Sequence, residues 1–96
     1  MEPDNMMAVF NRGLLRAQTG DYRGAIQDYT TVINQYPNFL AGYYQRSEAR
    51  RKIGDKKGAE QDEFKVMKAQ IDKHRIRIRK TMRKAERRPV RNQIRI

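Results

Sequence analysis

Gly20-Asp21-Tyr22-Arg23-Gly24-Ala25-Ile26-Gln27-Asp28-Tyr29 returns 34 positions later as Gly54-Asp55-Lys56-Lys57-Gly58-Ala59-Glu60-Gln61-Asp62-Glu63. Six of the ten residues are identical, and no insertion or deletion is needed. The register extends outward in both directions. Arg12 returns as Arg46, Arg16 as Arg50, and Val32 as Val66. A fixed period in this range marks a solenoid, in which each repeat is one supersecondary unit stacked on its neighbour. Solenoids work mostly by presenting a surface, so the pattern points to binding.

Within the motif, Gly20 can take the left-handed conformation that ends a helix, and Asp21 can cap the next one. On the N-terminal side, Met6, Val9, Phe10, Gly13, Leu14 and Ala17 fall at three- and four-residue spacings. That periodicity predicts an amphipathic helix over about 5–18, with Asp4 as its cap. On the C-terminal side, Ala25, Ile26, Tyr29, Val32 and Ile33 predict a second helix over about 22–35. Tyr36-Pro37-Asn38 stops it, because proline cannot extend a helix. The cycle then recurs: a third helix over about 39–53, the Gly54-Asp55 turn, and a fourth helix starting near Lys57. After Gly58 no Pro or Gly follows until Pro89, so the fourth helix is expected to run on. Arg75-Ile76-Arg77-Ile78-Arg79 alternates like a strand, but the helical spacing of Met67, Ile71, His74, Ile78 and Met82 favours continuation. Ile76, Ile78 and Met82 are placed to face the repeats, with the arginines outward. Fraying is expected after Pro89.

The motif also resembles the tetratricopeptide repeat family over residues 6–71. That family has a small residue in its first helix, a Gly-Asp-Tyr type turn, an Ala in the second helix, an aromatic after it, and a closing Pro. Here these are Gly13, Gly20-Asp21-Tyr22, Ala25, Tyr29 and Pro37. The second repeat keeps Ser47, Gly54-Asp55 and Ala59, but has Lys56, Glu63 and Ile71 where the turn aromatic, helix aromatic and Pro would stand. The resemblance implies an all-α fold, an antiparallel helix-turn-helix solenoid of two repeats plus a long C-terminal helix. The domain would span 1–72, with repeats at about 6–39 and 40–71, followed by a basic extension at 73–96. Two repeats are fewer than the three or so an independent solenoid needs. The long helix caps the array, or the chain forms a homo-oligomer, or it belongs to a longer protein.

The resemblance further implies that a partner's peptide or helix binds along the concave surface lined by the first helix of each repeat. Carried over by position, that groove comprises Phe10, Asn11 and Leu14, then Tyr44, Gln45, Glu48 and Arg51, with Met7, Ala17 and Ala41 beside them. Phe10 and Tyr44 are equivalent: they form an aromatic strip, or both pack partly against their neighbours as core. The carboxylate clamp of chaperone-binding members is not implied, since Phe10, Leu14, Tyr44 and Glu48 surround Asn11. Arg12 with Asp28, and Arg46 with Asp62, are read as intramolecular ion pairs across each hairpin, or as Asp28 against Arg46. If largely exposed, each would add at most about 1 kcal/mol.

Charge divides the chain more sharply than any motif. The net charge is +11. Residues 1–72 hold 11 Lys/Arg against 10 Asp/Glu, whereas 73–96 hold 11 Lys/Arg against Glu86 alone. An alternative function is therefore polyanion binding, including non-specific nucleic acid, through Arg75, Arg77, Arg79, Lys80, Arg83, Lys84, Arg87 and Arg88. This segment has no Phe, Tyr or Trp, so it lacks the stacking platforms of single-strand binders.

Nothing in the chain assembles a catalytic set. It has no Cys and one His, His74, between Lys73 and Arg75. The glycines are isolated helix stops rather than a phosphate loop. No enzyme activity, cofactor or metal is expected. No apolar run approaches the roughly 18 residues that span a bilayer, and Met1-Glu2-Pro3-Asp4 lacks a signal-peptide core. The default expectation is a cytoplasmic location.

Overall fold

The computed structural model describes residues 5–86, and for Ile76 and residues 80–86 it describes the backbone alone. The described residues form four helices with no strand: α1 (Met6–Gln18), α2 (Tyr22–Gln35), α3 (Leu40–Lys52) and α4 (Lys56–Glu86). The Arg75–Arg79 alternation lies within α4. The Asp4 cap, the fraying after Pro89, and Arg87 and Arg88 lie outside the described residues.

The repeated motif makes the same turn twice. Gly20 has φ 90° and Gly54 φ 85°, the left-handed region that glycine enters without a Cβ penalty. Each glycine is followed by an N–H that returns to the preceding helix: Asp21 to the Arg16 carbonyl and Asp55 to the Arg50 carbonyl, both at 2.8 Å. Each aspartate then caps the next helix. The Asp21 carboxylate accepts from the Gly24 N–H at 3.0 Å, and Asp55 from Gly58 at 2.9 Å. At the start of α1 the capping side chain is Asn5, whose Oδ1 accepts from the Ala8 N–H at 3.1 Å. Helix α3 lacks a side-chain cap. Its entry is held instead by the Tyr43 hydroxyl, which donates to the Pro37 carbonyl at 2.8 Å.

Consecutive helices pack on one another, α1 on α2, α2 on α3 and α3 on α4, with a smaller contact between α1 and α3. The chain thus advances by nearest neighbours. The apolar core is concentrated in the first pair: Met6, Val9, Phe10, Ala25, Tyr29 and Val32, joined by Ala49 of α3. The Phe10 ring meets Phe39 edge-on at 5.0 Å and Tyr29 at 5.7 Å. Gly13 permits this packing. A Cβ there would stand 2.7 Å from the Tyr29 ring, inside van der Waals contact.

The second pair buries small residues in place of aromatic ones, and each pair buries one aspartate, Asp28 or Asp62. Ser47, Ala49 and Ala59 are almost fully covered, and so is Asp62. Glu63 occupies the position equivalent to Tyr29, so Ser47 fits where the first pair needed Gly13. Beyond its contact with α3, α4 continues without another helix against it among the described residues. Ile78 does not face the repeats, contrary to the expectation: it is 48% exposed. The helix has turned and moved past the short α3, so nothing on the repeats reaches it.

Candidate functional site

Two guanidinium–carboxylate nodes set the spacing of the helices. Arg12 donates from Nε and Nη2 to the Asp28 carboxylate at 3.0 and 2.8 Å, and Arg16 donates to the same carboxylate at 3.3 Å. Arg46 donates likewise to Asp62 at 2.9 and 2.7 Å, and Arg50 at 3.0 Å. Asp28 does not pair with Arg46, because each arginine is folded back within its own hairpin. Arg46 reaches the earlier repeat only through Thr30, whose hydroxyl accepts at 3.1 Å. The hydrogen bonds from Arg12 to Asp28, with their charge attraction, raise the Arg12 pKa above its ordinary value.

The carboxylates do not meet the condition of exposure on which a contribution of about 1 kcal/mol or less depends. The aspartate side chains are only 4% and 3% exposed, so each carboxylate is desolvated and depends on its two arginines. Each node thus joins the two helices of one hairpin through a carboxylate that accepts from two guanidiniums. Beside the first node, burial raises the Tyr29 pKa, with the Asp28 charge as a lesser cause. The Tyr29 hydroxyl has no hydrogen-bond partner among the described residues.

A groove of about 400 Å³ lies between α1 and α3. Its floor is Leu14, Ala17, Tyr22 and Ala49, and its rim is Gln18, Gln45, Glu48 and Lys52. Of the residues expected to line it, Leu14, Ala17, Gln45 and Glu48 are brought together. Asn11 and Tyr44 are exposed but stand outside the lining, Tyr44 at 53%. Phe10 is only 9% exposed and belongs to the core, so no Phe10–Tyr44 strip forms. The equivalent positions diverge because α1 uses Phe10 to fill the space against Tyr29 and Phe39. Phe10 also contributes to an apolar cleft of about 140 Å³, with Met6, Met7, Val32, Tyr36 and Phe39, at the α1 N-terminus.

Arg51 is held elsewhere. Its Nε and Nη2 donate to Glu63 at 2.6 and 2.8 Å, a bidentate pair between α3 and α4. Arg51 takes the place of Ala17, and Glu63 that of Tyr29, so an ion pair replaces an aromatic contact. The same hydrogen bonds raise the Arg51 pKa and lower that of Glu63. Sequence reasoning missed this pair, although the two departures sit at coupled positions of the repeat. It also missed Gln18 and Lys52, equivalent rim residues, and the Tyr22 ring.

On the projecting part of α4, Lys73, His74, Arg75, Arg77 and Arg79 are exposed. The side chains of Lys80, Arg83 and Lys84 lie outside the described residues. Among the described residues no group of three His, Cys, Asp or Glu converges on a metal position, and no helix is long and apolar enough to cross a membrane.

Comparison with protein-family models, with curated proteins and with solved structures found no match.

Proposed function

We propose that the chain is a non-catalytic interaction module of tetratricopeptide type, which holds a peptide or helix of a partner protein in the groove between α1 and α3. The observation that supports this reading is the groove itself. An apolar floor from both repeats is edged by two amides, one acid and one base, a combination suited to burying apolar side chains while orienting a polar backbone. The 34-residue period supports the family reading, since it recurs in the turns, the caps and both arginine nodes.

The test uses rim residues, because Leu14 packs against the core. Nuclease-treated lysate is passed over the wild-type chain and over a Gln45→Glu/Lys52→Glu variant of unchanged circular dichroism. A captured protein is reduced to its binding segment and titrated by calorimetry. Binding of that segment at least tenfold weaker in the variant supports the groove. Equal affinity overturns it.

A second reading is polyanion binding by the extension, favoured by the exposure of Lys73, Arg75, Arg77 and Arg79 on a helix that leaves the repeats. Its signature is an affinity for a generic nucleic-acid duplex that falls steeply with salt. The variant Arg75→Gln/Arg77→Gln/Arg79→Gln would lower both the affinity and the slope. A slope unchanged by that variant overturns this reading.

A further inference from the structure

One face of α4 is apolar and uncovered among the described residues. Phe64, Met67, Ile71 and Ile78 are between 44% and 58% exposed. Phe64, Ile71 and Ile78 recur at intervals of seven, the spacing that keeps residues on one side of a helix facing a partner helix. Phe64, Met67 and Ile71 already share a shallow concavity of about 200 Å³ with Lys68, Asp72 and Arg75.

A further repeat would cover only part of this face. On α2 the positions equivalent to Phe64 and Met67 are Thr30 and Ile33, and α3 covers them: Ile33 lies against Gly42, and Thr30 accepts from Arg46. The first pair also supplies the apolar Ile26 and Tyr29, where α4 has Glu60 and Glu63. Moreover, α2 ends at Gln35, which corresponds to Ala69. Ile71 and Ile78 lie beyond the length that a repeat-sized neighbour would cover. A long helix running beside α4 covers them all.

We propose that this face pairs with the same face of a second copy, the two α4 helices running antiparallel about a two-fold axis at Ile71. The arrangement is isologous, with one patch serving both copies. Ile71 is the midpoint of Lys56–Glu86, so this register overlaps the full helix, about 46 Å of it. Phe64 of one copy lies opposite Ile78 of the other, and the two Ile71 side chains meet at the axis. Met67 lies opposite Arg75, whose aliphatic stem can cover it while the guanidinium stays in water.

Charge selects the direction. Residues 56–72 hold four Lys against four Asp/Glu, whereas residues 73–86 hold seven Lys/Arg against Glu86. A parallel pair would place the two cationic segments side by side, with like charges repelling. The antiparallel pair separates them and brings Glu63 opposite Arg79. The groove between α1 and α3 takes no part, so this pairing does not rest on the peptide-binding reading.

The chain has no cysteine, so single introduced cysteines report the register directly. Ile71→Cys lies on the axis and is expected to give a disulfide-linked dimer under mild oxidation. Ile78→Cys alone is not, because the two sulfurs would be about 21 Å apart along the helices, whereas a disulfide needs Cα atoms about 5.5 Å apart. Mixing Phe64→Cys with Ile78→Cys restores the cross-link. By sedimentation, the wild-type chain is expected at twice the chain mass, and an Ile71→Glu variant of unchanged circular dichroism at the chain mass. A wild-type monomer at all concentrations tested, a dimer that survives Ile71→Glu, or cross-linking through Ile78→Cys alone would each overturn the proposal.

Discussion

The two arginine nodes have the same contacts, yet their loss is expected to cost different amounts. Asp28→Asn and Asp62→Asn each remove one charge and leave Arg12 or Arg46 without a counter-charge, while Arg16 keeps Asp21 at 3.9 Å and Arg50 keeps Asp55 at 3.7 Å. In the first node the two guanidiniums belong to side chains that are 45% and 35% exposed, so water can take over much of the lost interaction. In the second they are 13% and 21% exposed, because Arg46 is enclosed between the repeats. Breaking a buried pair costs about 3–5 kcal/mol, and an exposed pair contributes about 1 kcal/mol or less. Weighting these two figures by guanidinium exposure gives about 2.8 kcal/mol for Asp28→Asn and about 3.5 kcal/mol for Asp62→Asn. The difference corresponds to a gap in Tm of about 3–6 °C for a domain of this size. Urea and thermal unfolding followed by circular dichroism would measure it. Amide exchange would show separately whether α3 and α4 open alone, as a nearest-neighbour array permits. Equal losses, or a larger loss for Asp28→Asn, would refute the argument that guanidinium burial sets the cost.

Three other outcomes follow from the packing and the titrating groups. Gly13→Ala gains about 1 kcal/mol of helix propensity but drives a methyl into the buried Tyr29 ring; a net loss of about 1–2 kcal/mol is expected in urea titration. Tyr29→Phe removes a buried, unpartnered hydroxyl and is expected to stabilise the chain by about 1 kcal/mol. Because the folded-state pKa of Tyr29 is raised, its contribution is complete below the unfolded value near 10 and is lost as pH rises through the folded value. The phenylalanine variant should therefore lack that part of the alkaline destabilisation, which unfolding across the alkaline range would read. Glu63 is shifted downward by Arg51, so its contribution is present above the ordinary carboxylate pKa and is lost as pH falls through the depressed one. An NMR titration of the Glu63 carboxyl should show this depression, and Arg51→Ala should return it to the ordinary range.

Much of the fold was legible because helix boundaries here are local chemistry. Gly20-Asp21 and Gly54-Asp55 each provide a left-handed stop and a cap, and Pro37 ends the helix before it. These constraints act over a few residues and need no partner. The arginine–aspartate pairing was also visible, since a spacing of 16 recurs in both hairpins. The candidate groove was only partly visible. Repeat position brought Leu14, Ala17, Gln45 and Glu48 to one concavity, but it left Phe10 open between groove and core, because equivalence in sequence says nothing of which neighbour fills the space. Tyr22, although a turn residue, lines the groove because α2 folds back beside α1.

The sequence by itself determined the period, the order of four helices, the two turns and the concentration of charge beyond residue 72. Periodicity and capping depend on near neighbours in the chain, which are fixed once the sequence is known. Only the tertiary structure decided that the first pair packs aromatic rings and the second small residues, each beside one buried aspartate. It alone decided that Arg51 joins Glu63 rather than the groove, and that α4 leaves the repeats with an apolar face uncovered. These outcomes depend on which side chains meet across helices, where a Tyr or a Glu at one position determines the space and charge available to every residue opposite it.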